Sequence, residues 1–226
     1  LALAQRKAFV AQASISDPAH LGESMLQALA SDGPALLQVY APSPLRHGFE
    51  PRRTLELARR AVDSRTLPLF LYDPHGEGVF GSRISLRGNP GPESLFAPHE
   101  EDGTVCTTAD WAFEQGRFGN QFGPLGADAP GPTPLHDWLQ LDDAARDNKT
   151  PFIAIVEGDE EQRLAVTRSL ADVAAGCMAN WQTLQELAGV VEEASDQLPV
   201  PGPGGHVGDG VMLAGEVFAL GEVAVE

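Results

Sequence analysis

Arg46 and His47 are the residues whose types and positions most favour chemistry. They stand in the loop APSPLRHG at 41–48, directly after the apolar segment ALLQVY. If that segment is a parallel strand, its carboxyl end lies at the edge where α/β sheets bind ligands. An arginine and a histidine at that edge can hold a carboxylate or a phosphate; the alternative is that both face water beside the next helix.

Other reactive residue types lack a supporting pattern. Prolines flank Ser43 where a serine hydrolase has glycines, and no HGGG-type oxyanion loop is present. His99 lies next to the acidic residues 100–102, which is compatible with a metal site but more typical of a solvated loop. GHVGDG at 205–210 follows a Pro- and Gly-rich segment, so it indicates a flexible turn. We therefore predict no metal site in this chain.

Composition excludes several classes of protein. The net charge of −17, from 32 acidic and 15 basic residues, argues against nucleic-acid binding. Two cysteines far apart argue against a disulfide framework or an iron–sulfur ferredoxin module, and favour a reducing cytoplasm. No apolar run is long enough to predict a membrane span. The chain begins at Leu1, without a signal-peptide pattern, so we expect a fragment of a longer protein or a processed product.

The first 75 residues predict an α/β unit. KAFVAQASIS and PALLQVY are expected strands on either side of a helix that Asp17 caps and Pro18 begins. The nearly continuous apolar character of PALLQVY predicts a strand covered on both sides. A helix in EPRRTLELARRAVDS and a strand in TLPLFLYDP follow, so we expect a parallel sheet with right-handed crossovers. The apolar residues expected to share a helix face are Leu21, Met25, Ala28 and Leu29 in the first helix, and Leu55, Ala58 and Val62 in the second.

Residues 76–132 predict a loop-rich arm. Glycine and proline are dense there and apolar periodicity is poor. Its large aromatic side chains need burial, so we expect the arm to wrap a neighbouring domain or subunit. These side chains are Trp111, Phe113, Phe118 and Phe122.

Residues 133–197 predict a helix–hairpin–helix extension. TPLHDWLQLDDAARDN is an expected helix, and PFIAIVEGDEEQRLAVT an expected hairpin turning at Gly158 and Asp159. The segment beginning TRSLADVAAG is the strongest helix, with Leu170, Cys177 and Trp181 on one apolar stripe. Residues 198–226 are expected to be a linker and an apolar tail.

Two separated blocks carry a resemblance to a known family. GESMLQALASDGPALLQVYAPSPLRHGF and RRAVDSRTLPLFLYDP resemble the final thiamine-diphosphate-binding domain of pyruvate:ferredoxin (flavodoxin) oxidoreductases. That family runs from EAxxxxGPSLIIAYSPC through HG to AVxSGYWPLYRYNP, and the resemblance covers roughly residues 9–74. The corresponding residues here are Asp32-Gly33-Pro34, Tyr40-Ala41-Pro42, His47-Gly48, Ala61-Val62, Ser64, Pro68-Leu69, Tyr72 and Pro74.

The resemblance implies a 2-oxoacid oxidoreductase. Such an enzyme uses thiamine diphosphate with magnesium to decarboxylate a 2-oxoacid such as pyruvate and hands the acyl group to coenzyme A. Its electrons pass through iron–sulfur clusters to ferredoxin or flavodoxin, and we expect a homodimer. Residues 1–75 would be the C-terminal half of the thiamine-binding domain, and the loop residues Ser43, Arg46, His47 and Gly48 would lie beside substrate or cofactor.

The departures from the family pattern limit this interpretation. Ser43 stands where the family has a cysteine that binds the iron–sulfur cluster nearest the thiamine, so we expect that cluster to be absent or bound differently. The family's GDG motif precedes the segment represented by Phe9 and has no counterpart here, so no catalytic residue is assigned. The alternative is a non-catalytic module that docks a subunit or a redox partner.

Overall fold

The computed structural model describes residues 2–97, 105–157 and 160–190. The elements form two four-stranded sheets, with helices between and around them. The first sheet and its helices are β1 (Phe9–Ser14), α1 (Pro18–Ala30), β2 (Ala35–Tyr40), α2 (Pro44–His47), α3 (Thr54–Asp63), β3 (Phe70–Tyr72) and β4 (Ile84–Ser85). The second region contains α4 (Thr108–Phe113), β5 (Phe122–Pro124), β6 (Pro132–Pro134), α5 (Leu135–Leu139), α6 (Asp143–Arg146), β7 (Thr150–Glu157), β8 (Glu160–Val166) and α7 (Arg168–Ala188). The predicted α/β class is confirmed.

The first helix begins as its sequence predicts. The Asp17 side chain accepts a hydrogen bond from the backbone N–H of His20 at 2.9 Å, and Pro18 takes the first helical position. This local geometry satisfies one of the free N–H groups at the start of the helix. It sets α1 between β1 and β2.

The first sheet is mixed, with strand order β2-β1-β3-β4. β1 and β2 are parallel, in register from Phe9 opposite Ala35 to Ser14 opposite Tyr40, as expected. β3 is antiparallel to β1, so the expectation of a fully parallel sheet is wrong for the third strand.

The path of the chain after α3 explains the direction of β3. The Ser14 hydroxyl, at the carboxyl end of β1, lies 3.5 Å from the carbonyl oxygen of Ala58 in α3, and the Gln12 amide donates to the Pro68 carbonyl at 2.7 Å. The helix therefore stays near the carboxyl end of β1, and the chain re-enters the sheet from that end. Arg65, with φ of 59°, makes the reversal just after α3.

β2 is not covered on both sides, which corrects the prediction made from its apolar sequence. It is the edge strand of the described sheet, and Leu36 is 49% exposed. The expected apolar face of α1 is only partly covered: Ala28 packs against Phe9 and Leu71, but Leu29 is 83% exposed. The residues that α1 buries are His20 and Ser24. In α3 the expected Ala58 and Val62 are buried with their neighbours, whereas Leu55 is exposed.

The second sheet has strand order β5-β8-β7-β6. β7 and β8 form the predicted hairpin, antiparallel with Phe152 opposite Ala165; its expected turn at 158–159 lies outside the described residues. The helix predicted in TPLHDWLQLDDAARDN is instead two short helices, α5 and α6. The break occurs because the Asp142 side chain accepts from the Ala145 N–H at 2.7 Å and so starts a new helix.

The long helix α7 is confirmed, together with its apolar stripe. Thr167 caps its first turn, and Gly189 in the left-handed conformation ends it. Leu170, Cys177 and Trp181 are all buried. No helix in the described part of the chain combines the length and the apolar character that a bilayer span requires.

The largest hydrophobic cluster joins β2, α3, α4, α5, the second sheet and α7. Trp111 is buried within it, and Phe118 and Phe122 pack against it. Phe113 is 38% exposed and meets the ring of Phe122 edge-on at 5.3 Å between centroids. Of the two expected alternatives, a neighbouring domain or a neighbouring subunit, the structure needs no subunit: the arm packs these aromatic residues against the rest of its own chain.

Candidate functional site

The loop at 41–48 owes its shape to its prolines and its glycine. Pro42 is buried, Pro44 begins the single helical turn α2, and Gly48 ends that turn with φ of 74°. The Gly48 N–H returns to the Pro44 carbonyl at 2.9 Å. Only glycine enters this left-handed conformation without strain, so the turn ends at one defined residue.

The loop leaves the sheet at the edge where its two parallel strands end. The N–H of Ile15, just after β1, donates to the carbonyl of Tyr40 at 3.1 Å, so β1 and β2 finish side by side. In open α/β sheets this carboxyl edge is where ligands bind. The position expected for Arg46 and His47 is thus the position that they occupy.

The arm delivers a further residue to this edge. The N–H of Gly116 donates to the Gly48 carbonyl at 3.0 Å. A Cβ on Gly48 would lie 3.1 Å from the Cα of Gly116, and a Cβ on Gly116 would lie 3.1 Å from the Gly48 carbonyl oxygen, so a side chain at either position would push the two backbones apart. The contact places Arg117 beside the loop.

Sequence reasoning missed Arg117. Its guanidinium lies over the Phe118 ring at 4.6 Å and over Trp111 at 5.6 Å, and its Nε donates to the side-chain oxygen of Gln115 at 3.1 Å. The local signal, GRFG next to an aromatic segment, does not indicate which distant loop it will meet. The position of Arg117 beside the loop follows from the contact between Gly48 and Gly116, two residues that are far apart in the sequence.

His47 is held neutral at physiological pH. Burial, followed by the positive charges of Arg117 and Arg46, lowers the pKa of His47 to about 4. Its Nδ1 is buried without a hydrogen-bond partner in the described structure. A neutral imidazole with a free nitrogen can donate or accept a hydrogen bond.

Tyr40 is the last residue of β2 and lies near Arg117. Its side chain is buried, and burial raises the pKa of its hydroxyl to about 12, although the charge of Arg117 and a hydrogen bond with Trp111 act in the opposite direction. Tyr40 is therefore protonated at any physiological pH. Tyr40 is thus uncharged, and the charged groups acting on His47 are the two arginines.

Ser43 occupies the N-cap position of α2, but its side chain makes no capping hydrogen bond. The two cysteines lie elsewhere, in the arm and in α7, and burial raises the pKa of Cys106 to about 12 and that of Cys177 to about 11. Both are thiols at neutral pH, which are poor metal ligands and weak nucleophiles.

Two further sequence candidates lie outside the described residues: His99 with its acidic neighbours, within 98–104, and the segment 205–210. Within residues 2–97, 105–157 and 160–190, no group of three or more His, Cys, Asp or Glu side chains is arranged to hold a metal ion.

Comparison with known proteins finds short matches to one kind of enzyme subunit. Over 62 residues, 27% of this chain, it is 39% identical to pyruvate synthase subunit PorB of Methanothermobacter thermautotrophicus. Over a segment of the same length it is 36% identical to pyruvate synthase subunit PorB of Methanocaldococcus jannaschii. The matched segment is 22% and 21% of those relatives, so the chain spans about a fifth of their length. No model of a known protein family matches the chain.

These matches relate part of the chain to subunits of a 2-oxoacid oxidoreductase. The fold agrees in class, since the first sheet is α/β and has a parallel strand pair. Two features thus coincide in one chain: similarity to pyruvate synthase subunits, and a basic loop at the ligand-binding edge of an α/β sheet.

Proposed function

We propose that this chain is part of a 2-oxoacid oxidoreductase of the pyruvate synthase type. The observation that carries the proposal is the similarity to two PorB subunits at 39% and 36% identity. The proposed reaction is thiamine-dependent oxidative decarboxylation of a 2-oxoacid, with transfer of the acyl group to coenzyme A and of electrons to ferredoxin or flavodoxin. We propose a homodimeric enzyme in a reducing cytoplasm, a compartment that suits the two unpaired cysteines.

Each region has a proposed part in that enzyme. Residues 1–75 would be the C-terminal half of the thiamine-binding domain, and 76–132 the arm that covers its loop. Residues 133–197 would be an extension and 198–226 a linker and tail. The place where substrate and cofactor meet would be bordered by Ser43, Arg46, His47 and Gly48. Their position at the carboxyl edge of β1 and β2 supports this role.

The described residues do not fit an iron–sulfur cluster at this loop. Ser43 offers a hard hydroxyl oxygen where a soft thiolate is required, and neither cysteine lies in the loop. Any clusters of the enzyme would be bound by other parts of it. The proposed electron transfer therefore does not involve Ser43.

When bound, thiamine diphosphate would supply the nucleophilic carbon and the electron sink that decarboxylation of a 2-oxoacid requires. Among residues 2–97, 105–157 and 160–190, no group of three or more His, Cys, Asp or Glu side chains is arranged to hold its magnesium ion. The contribution proposed for this chain is to orient and to exclude water. Neutral His47 and protonated Tyr40 lie at the loop without adding a negative charge there.

A non-catalytic module is the second candidate, favoured by Ser43 in place of a cluster ligand. In that case the domain would serve subunit contact or docking of a redox partner, using its acidic surface. The two candidates differ in whether loop substitutions change turnover.

The test is an assay of the complete protein complex that contains this chain. Purified complex should reduce a viologen dye when given both pyruvate, or another short 2-oxoacid, and coenzyme A. His47→Gln should lower kcat/KM at least about tenfold, whereas Arg163→Gln, on the exposed face of β8, should not. A complex without 2-oxoacid-dependent reduction would overturn the enzyme proposal; full activity in His47→Gln would favour the module.

A separate measurement addresses Ser43. If this position has lost a cluster ligand, Ser43→Cys in the complete complex should raise the iron content per chain and add absorbance near 400 nm. Unchanged iron would contradict the lost-ligand hypothesis while leaving the reaction class standing.

A further inference from the structure

Most arginines of this acidic chain have acidic partners. Pairs join Arg52 to Glu50, Arg59 to Asp63 and Arg168 to Asp172, for example. Among the described residues, the arginines that form no ion pair are Arg6, Arg46, Arg65, Arg83 and Arg117, in a chain with 32 acidic and 15 basic residues. Arg65 and Arg83 donate to backbone carbonyl groups instead, and Arg6 lies over the Phe80 ring.

Arg46 and Arg117 are two such cations, and they flank the same histidine. Within residues 2–97, 105–157 and 160–190, neither forms an ion pair, and Arg117 contacts only a glutamine oxygen and two aromatic rings. Both charges act on His47, lowering its pKa. They come from different parts of the chain, Arg46 from the motif loop and Arg117 from the arm.

A backbone contact holds together the two segments that carry the arginines. The hydrogen bond from Gly116 to Gly48 anchors the residues immediately beside Arg117 and His47, and stacking on Phe118 restricts the Arg117 side chain. Part of the entropy cost of ordering Arg117 is thus already met before any ligand arrives. Both arginines retain solvent access, so an ion can reach them.

We propose that Arg46 and Arg117 together bind an oxyanion, a carboxylate or a phosphate group of a small ligand, at the carboxyl edge of β2. Guanidinium groups present paired N–H donors that match such oxygens. Neutral His47 and the buried, protonated Tyr40 near Arg117 add no competing negative charge. The inference does not depend on the proposed reaction, because it rests on the pairing and placement of the charges alone.

The experiment uses the whole 226-residue chain with isotope-labelled histidine. Its pH titration by NMR is followed at constant ionic strength with inorganic phosphate, with pyruvate, or with chloride as the only variable anion. A bound oxyanion offsets the two cations, so we expect saturable shifts of the His47 ring signals and a higher pKa for His47. Saturation by phosphate alone identifies a phosphate-bearing ligand, and saturation by pyruvate alone a carboxylate.

Variants identify the source of the effect. Arg117→Gln and Arg46→Gln should each weaken oxyanion binding about tenfold or more, and should raise the pKa of His47 even without ligand. Arg117→Lys keeps the charge but loses the fork of donors, so its binding should fall between wild type and Arg117→Gln. Arg163→Gln is the matched control, since Arg163 also stacks on an aromatic ring, Phe152 at 5.3 Å, but lies in the other sheet.

Two results would overturn the inference. One is a chloride response equal to that of phosphate and pyruvate, which would indicate general screening. The other is binding that Arg117→Gln and Arg46→Gln leave unchanged while their near-ultraviolet circular dichroism matches that of wild type.

Discussion

The two edges of the first sheet differ in whether their apolar side chains are buried. At the β4 edge, Ile84 and Tyr72 are buried against Trp181 of α7. At the β2 edge, apolar residues remain exposed, Leu36 on the strand and Leu26 and Leu29 on α1. Both edges are apolar in sequence. Apolar character therefore indicates which surfaces can be buried, whereas tertiary contacts determine which of them are buried.

The largest expected effect lies at the covered edge. Trp181 is fully buried, its indole N–H donates to the Ser94 carbonyl at 2.9 Å, and the Arg65 guanidinium stacks on it at 4.1 Å. Trp181→Ala should lower the free energy of unfolding by about 4 kcal/mol. Denaturant titration measures this change in the free energy of unfolding. A smaller change than in an exposed-leucine variant would contradict the difference in burial between the two edges.

Arg65 should show the next largest effect. Its Nη2 donates to the carbonyls of Pro90 and Gly91 at 2.6 and 2.8 Å, tying the end of α3 to the loop beneath α7. Arg65→Ala should cost about 2–3 kcal/mol. Arg65→Gly should cost about 1 kcal/mol less, because glycine relieves the positive φ. Equal losses in the two variants, measured by denaturant titration, would mean that the backbone at this residue carries no strain.

A pH effect is expected at the loop beside the open edge. The pKa of His47 falls to about 4 on folding from an ordinary value of 6.5, because burial and the charges of Arg117 and Arg46 disfavour the proton. The unfolded chain binds that proton more readily, so this contribution to stability is complete above pH 6.5 and is lost as pH falls towards 4.

His47→Gln isolates that contribution. The difference in unfolding free energy between variant and wild type should change by about 1–2 kcal/mol between pH 7 and pH 4, after allowance for solvent screening. His20, whose pKa burial also lowers, stays in both proteins and so cancels. Parallel profiles for the two proteins would contradict the assignment.

The smallest effect is expected at the open edge itself. Leu26 and Leu29 are 71% and 83% exposed, so Leu26→Ala and Leu29→Ala should each change the unfolding free energy by no more than about 0.5 kcal/mol. A decrease of several kcal/mol in the free energy of unfolding, measured by denaturant titration, would show that this face is buried in solution. The two edges would then no longer differ.

Local signals account for what the sequence predicted well. Asp17 and Pro18 mark the start of α1, the alternating hairpin residues pair as β7 and β8, and the stripe through Trp181 follows one face of α7. Each of these depends on residues close together in the chain. The place of Arg46 and His47 at the strand edge follows from the same local pattern.

Long-range geometry accounts for what it did not predict. The direction of β3 depends on where α3 rests, which is not encoded in the strand itself. The presence of Arg117 at the loop depends on the close approach of Gly48 and Gly116. The exposure of β2 depends on its position in the strand order, since a buried central strand and an apolar edge strand have similar sequences.

Arg65 also has a consequence for the order in which the chain gains stability. Its left-handed backbone costs about 1–2 kcal/mol as soon as the turn after α3 forms, and the oxidoreductase segment quoted above has glycine at this position. The contacts that offset this strain come from the 90–94 loop and from Trp181, which are synthesised later. A nascent chain that has only its first sheet therefore carries an uncompensated turn, and the early half becomes fully stable only when the last described helix docks.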